Sequence, residues 1–264
     1  MTAVTLKKQK EVMVLKKIYM VDRPLTHRVM GGLAYNVVAF WTLPFLLLLL
    51  LAGSYRTVAT DAGVEILYHL INCAVAVSIL WRYMRDSYIN VIACAEEIWA
   101  VVWRSALVIF AVAGVIFYAC KFFLGDLANL GAYGMLPLFE VDLFVQSAII
   151  LEQYPILGAL TAVLVGPVTV SCLYYACVFA PIASERPVLA YFAMAGFLAI
   201  PRICNALTFW QPEEELLLYL VQLPIHLLAC RAYQKADTIW APIALLALVN
   251  TVATVALLIL FALT

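Results

Sequence analysis

Leu217–Phe261 is the stretch that decides the fold. It holds an apolar run, the polar turn Arg231-Ala-Tyr-Gln-Lys-Ala-Asp-Thr238, and a second apolar run that opens on Trp240-Ala-Pro-Ile243 and carries Asn250. Each run is close to the roughly 20 residues that a helix needs to cross about 30 Å of hydrocarbon. The stretch therefore predicts two membrane helices joined by a short polar turn.

The rest of the chain repeats that pattern. Of its 264 residues, 66% are hydrophobic and 12% charged, against roughly 45–50% apolar and about 25% charged in soluble chains. So much apolar surface must face lipid, and the fold class is an all-α polytopic transmembrane bundle. Continuous runs such as Leu46–Ala52 do not alternate as the strands of a membrane β-barrel do. A formal net charge of zero gives no reason to expect a nucleic-acid partner. The seven cysteines form no CxxC pair, so they read as small buried apolar residues, with neither a metal nor a cofactor expected.

Seven spans are expected, at about 32–54, 62–82, 99–123, 155–182, 187–210, 214–231 and 238–262. Residues 1–31 form a basic segment with Lys7, Lys8, Lys10, Lys16, Lys17, Arg23 and Arg28. It is either an amphipathic stretch on an anionic membrane face or a lead-in whose charges set topology. Residues 32–154 hold the N-terminal spans. Within them, 125–153 contains Glu140 and Asp142 among Gly131, Gly134 and Pro137, which favours an interfacial or re-entrant piece over an eighth span. Residues 155–264 form a C-terminal membrane core. Arg82, Arg85, Arg186, Arg231 and Lys235 border the same side as the N-terminus, while Arg56, Lys121 and Arg202 border the other together with Asp61, Glu140, Glu152 and Glu213–Glu215. The positive-inside rule then places the N-terminus in the cytoplasm, and the expected location is a bacterial cytoplasmic membrane.

The turn and the helix after it resemble the C-terminal part of the CPBP (CAAX protease and bacteriocin-processing) family of intramembrane proteases. Family members carry a Glu-Glu-x-x-x-Arg, a Phe-x-x-x-His and a His-x-x-x-Asn on neighbouring helices. Glutamate and histidine there polarise a water against a scissile carbonyl, directly or through a metal. Trp240-Ala-Pro-Ile243 matches the family's last helix, with Leu246 at the histidine position and Asn250 at the asparagine position. Phe197 is retained in the middle motif, with Pro201 for its histidine. The first falls after Gly166-Pro167, with Val170 and Ser171 for the two glutamates and Tyr175 for the arginine. The resemblance covers about 165–262. It implies the fold of the family without its chemistry, because leucine, proline and valine neither bind metal nor move protons.

Four ionisable groupings lie outside those motifs. His226 is an ionisable group inside a span, which makes it a functional candidate. Glu65 and His69 share a helix face at i and i+4. Glu96-Glu97 with Arg104 reads as an interfacial charge cluster. Glu213-Glu214-Glu215 suits a solvated helix N-terminus. The tryptophans cluster at span ends as an aromatic belt.

The favoured function is a proteolytically inactive bundle acting as scaffold, chaperone or regulator of another membrane protein or membrane-bound enzyme. Thr169, Ser171 and Asn250 are expected to line its binding groove, with membrane lipids around it. An intramembrane protease with a divergent site at His226 or Glu65/His69 is one alternative. A subunit of a transport or secretion complex is another, and its sign would be polar residues lining a path across the membrane.

Overall fold

The computed structural model describes residues 28–35, 38, 42–43, 46–47, 50, 58–124, 147–209 and 212–263, and every element among them is helical. From residue 58 onward these are α1 (Val58–Ala93), α2 (Ala95–Leu124), α3 (Ser147–Gln153), α4 (Pro155–Ala183), α5 (Pro187–Phe209), α6 (Pro212–Ala236) and α7 (Trp240–Leu263).

Five of these are long and apolar enough to cross a membrane: α1 over Ala62–Tyr88, α2 over Ala95–Val115, all of α4, α5 over Pro187–Cys204 and α7 over Trp240–Ile259. By length and composition this is an integral membrane protein. Helix α6 runs for 25 residues and carries Gln222, His226, Arg231 and Lys235 as well as its leading acids. The expected span at 32–54 lies mostly outside the described residues, as do nearly all of the basic segment 1–31 and residues 125–146 of the uncertain piece. The remainder of that piece forms α3, whose seven residues rise only about 10 Å and pack against α1.

Helix α4 is the centre of the bundle, packed by α1, α5, α6 and α7. All nine residues Ser171–Phe179 are buried. The reason lies in the sequence, where apolar and small residues run without a polar face. Two stretches of α4, Thr161–Val165 and Ser171–Phe179, are wound as π-helix. Each runs up to a proline, Pro167 or Pro181. A proline ring collides with the carbonyl four residues back and offers no N–H, and a widened turn relieves both problems. Accordingly the Gly166 N–H donates to Thr161 and the Ala180 N–H to Tyr175, five residues back instead of four. One carbonyl is left over. Ala162 would receive Gly166, which is engaged elsewhere, and the next residue is Pro167.

The stretch around 231–240 is built as a close helix–turn–helix. Asp237 adopts φ 53°, the left-handed conformation that closes many helices, and its N–H donates to the Tyr233 carbonyl at 2.9 Å. Thr238 is fully buried. Its hydroxyl accepts the Trp240 N–H at 3.3 Å, capping α7, and shares a hydrogen bond of 2.7 Å with Ser87 of α1. The Trp240 indole donates to the Met84 carbonyl at 3.0 Å. The turn thus locks onto the C-terminal part of α1, and that end of the bundle also carries Arg82, Arg85, Arg231 and Lys235.

Candidate functional site

The largest buried polar constellation belongs to α6. Glu215, Tyr219, Gln222, His226, Cys230 and Tyr233 recur at intervals of three or four residues, which is the spacing of one helix face. Gln222, His226, Cys230 and Tyr233 are buried, and Glu215 and Tyr219 partly so. Over the 18 steps from Glu215 to Tyr233, this face extends about 27 Å at 1.5 Å per residue. That is close to the thickness of the hydrocarbon core.

Three other helices supply the partners. Arg202 of α5, itself buried, donates to Glu215 at 3.1 Å and to Gln222 at 2.8 Å. The Tyr219 hydroxyl donates to the Ala195 carbonyl at 3.1 Å. The His226 Nδ1 and the Tyr175 hydroxyl of α4 lie 2.7 Å apart. The Tyr233 hydroxyl bonds the Tyr83 hydroxyl of α1. Tyr174 packs edge-on against Phe197 and tilts toward the His226 ring, with centroids 5.1 and 6.1 Å away.

The positions matched to the protease motifs sit in the interior. Val170, Tyr175 and Leu246 belong to one apolar core, against which Phe197 packs. Pro201 lies inside α5, one residue before Arg202. Tyr175, at the arginine position, is occupied by His226. Asn250 has a structural task that the motif does not suggest: its amide donates at 2.7 Å to the Ala162 carbonyl, the one that the π-turn and Pro167 leave without a backbone donor.

Asn250 is anchored at Ala162, and nine residues separate Ala162 from Ser171, on the order of 10 Å along the helix. Thr169, Ser171 and Asn250 are all buried, and the Thr169 hydroxyl is bonded to the Val165 carbonyl at 2.8 Å. A partner segment reaches these side chains only if helices separate. Glu65 and His69 approach to 4.0 Å within α1. They lie about 20 Å or more along that helix from Met84 and the turn it meets, and so away from His226.

Two features escaped the sequence reading. One is the α6 face with Arg202, whose signal was the three-and-four spacing of polar residues hidden among leucines. The other is Thr254, one turn beyond Asn250. The Ser171 Oγ, Asn250 Oδ1 and Thr254 Oγ1 atoms are buried and find no hydrogen-bond partner among the described residues. Other intramembrane hydroxyls, on Ser78, Thr169 and Thr251, turn back to the carbonyl four residues earlier, the usual solution for such groups. Among the described residues no three His, Cys, Asp or Glu side chains come together as metal ligands. The chain matches no protein-family model, no curated protein and no solved structure.

Proposed function

We propose that the chain is a seven-span membrane protein with a CPBP-like core, which works by binding another membrane protein or membrane-bound enzyme and not by cleaving one. The observation that supports this reading is how the motif positions are used. Val170 and Leu246 fill the core, Tyr175 is bonded to His226, and the retained Asn250 caps the Ala162 carbonyl. Each of these positions supports packing in this chain, and Ser171, the remaining hydroxyl among them, has no base on its helix. On this reading α6 and the first apolar run also cross the bilayer, the N-terminus is cytoplasmic, and the turn at 231–240 lies on the cytoplasmic side.

The test is a mild-detergent purification of the tagged full chain from its native membrane, followed by mass spectrometry. A near-stoichiometric, intact membrane protein is the expected result. A substrate whose cleaved form disappears when the chain is deleted would overturn the reading in favour of proteolysis. His226, held against Tyr175, is then the first residue to replace, and His226→Ala would abolish turnover while leaving abundance unchanged.

A further inference from the structure

Helix α2 turns outward a charge that the rest of the bundle would hide. Arg104 is the one charged residue between Glu97 and Lys121. Charged side chains inside a membrane span almost always face the bundle interior or pair with an opposite charge. Arg202 does both, being buried and 3.1 Å from Glu215. Arg104 does neither: it is exposed on α2 and has no ion-pair partner among the described residues. Toward the start of the helix, Glu96 and Glu97 are exposed too and likewise have no ion pair among the described residues. Exposed Ala100 separates the two groups, three and four residues from the acids and three and four from Trp103 and Arg104. That spacing sets all five on one outward strip, shallowest at the alanine methyl. Glu97 and Arg104 stand seven residues apart, about 10 Å along the axis, beyond the spacing at which neighbouring helix side chains meet.

Depth decides what this strip faces. Tryptophans on lipid-facing surfaces gather at the level of the headgroups, and Trp99 and Trp103 are 51% and 52% exposed. Arg104 follows directly after them. A helical side chain lies back over the turn before its own Cα, so the arginine stem carries the guanidinium out of the hydrocarbon toward that level. The acids lie farther out. We propose that the strip binds a phospholipid with a primary-amine headgroup, of the phosphatidylethanolamine class. Its phosphate, next to the glycerol, accepts the two parallel N–H bonds that the Arg104 fork offers. Its ammonium, farther from the bilayer, donates to Glu96 and Glu97. The acids discriminate among headgroups, because phosphatidylglycerol brings a negative charge with no cation to meet them, and the choline of phosphatidylcholine has no N–H to donate. A partner helix fits less well, since helix interfaces are built on small residues and this surface carries two indoles. The inference needs α2 to cross the bilayer, for which it has the length and apolarity, and makes no use of the partner reading.

The experiment is native mass spectrometry of the purified full chain in detergent, titrated with phosphatidylethanolamine, phosphatidylglycerol or phosphatidylcholine of identical acyl chains. One phosphatidylethanolamine is expected to be retained, at an occupancy about fivefold above either of the others. Arg104→Leu is expected to lower that occupancy about fivefold. Replacing both acids, Glu96→Gln with Glu97→Gln, is expected to bring phosphatidylethanolamine and phosphatidylcholine to equal occupancy. Arg82→Gln, which removes an exposed arginine of α1, is expected to change neither result. Equal retention of the three lipids, a preference for phosphatidylglycerol, or undiminished retention by Arg104→Leu overturns the proposal. A membrane protein that co-purifies with the parent but not with Arg104→Leu, in the absence of any lipid preference, overturns it in favour of a docking helix. Should Arg104→Leu unfold early, the double glutamine variant decides, since a headgroup preference that survives it refutes the contact with the amine. A negative lipid titration leaves the partner purification untouched, so the two readings fail separately.

Discussion

Helices α6 and α7 meet at one turn, yet their inward faces follow opposite rules. That of α7 is apolar, with Ala241, Leu245, Leu246, Val249, Ala253 and Leu257 buried and only Asn250 and Thr254 polar among them. That of α6 buries Gln222, His226, Cys230 and Tyr233 beside Ile225, Ala229 and Ala232, and its polar groups are met by Tyr83, Tyr175, Arg202 and the Ala195 carbonyl. The more polar helix is the better paired one, while the apolar helix holds two of the oxygens that have no partner among the described residues. Inside a bilayer the number of polar groups matters less than whether each has a partner, because no water stands by to replace one.

Breaking the pairing on α6 should have the largest effect. Arg202 is the hub, bonded to both Glu215 and Gln222, and all three are buried or nearly so. Removing one partner of a buried ion pair leaves the other charge uncompensated, at about 3–5 kcal/mol. Arg202→Leu should therefore lower the thermal unfolding midpoint in detergent more than any other change discussed. An Arg202→Leu protein that unfolds at the parental temperature would show that α6 is held by packing alone.

On α7 the effect of replacing Asn250 depends on which atom is lost. The Ala162 carbonyl needs a donor, because the π-turn before Pro167 takes away its backbone one. Asn250→Leu leaves that carbonyl unpaired and should destabilise by about 1–3 kcal/mol. Asn250→Asp keeps the shape, and its carboxyl donates only when protonated, so it should be the milder change at low pH and approach Asn250→Leu at high pH. Thermal unfolding of the two variants at low and high pH is the check. If Asn250→Leu were as stable as the parent, the donor role would be refuted.

The contrast between the two helices was only partly legible in the sequence. Helix positions were, because runs such as 155–182 and 238–262 are long, apolar and bounded by charges or turns, and α4 and α7 fall within two residues of those limits. The special status of Asn250 was visible as a lone amide in an apolar run. Its task was not, since that depends on how Gly166-Pro167 rewinds a helix more than 80 residues away. His226 stood out as an ionisable residue, but its pairing with Tyr175 bridges 51 residues and belongs to packing. The α6 face could have been read from spacing alone. It was obscured because leucines between the polar residues make the run look uniformly apolar to a window average.

The smallest effect, and the one of opposite sign, is expected at Thr254. Its Oγ1 is buried without a partner among the described residues, unlike the Thr251 hydroxyl one turn-face away, which bonds the Ala247 carbonyl at 2.7 Å. Valine has nearly the same shape and no hydroxyl to desolvate. Thr254→Val should therefore be neutral or stabilise the fold by up to about 1 kcal/mol, because relieving an unsatisfied buried group returns part of its desolvation penalty. The matched change on α6, Tyr219→Phe, removes a hydroxyl that does have a partner and should destabilise instead. Opposite shifts of the unfolding midpoint for these two hydroxyl deletions would establish that pairing, not polarity, divides the two helices. If Thr254→Val destabilises as much as Tyr219→Phe, its hydroxyl has a function in the bilayer that the packing of α4 and α7 does not account for.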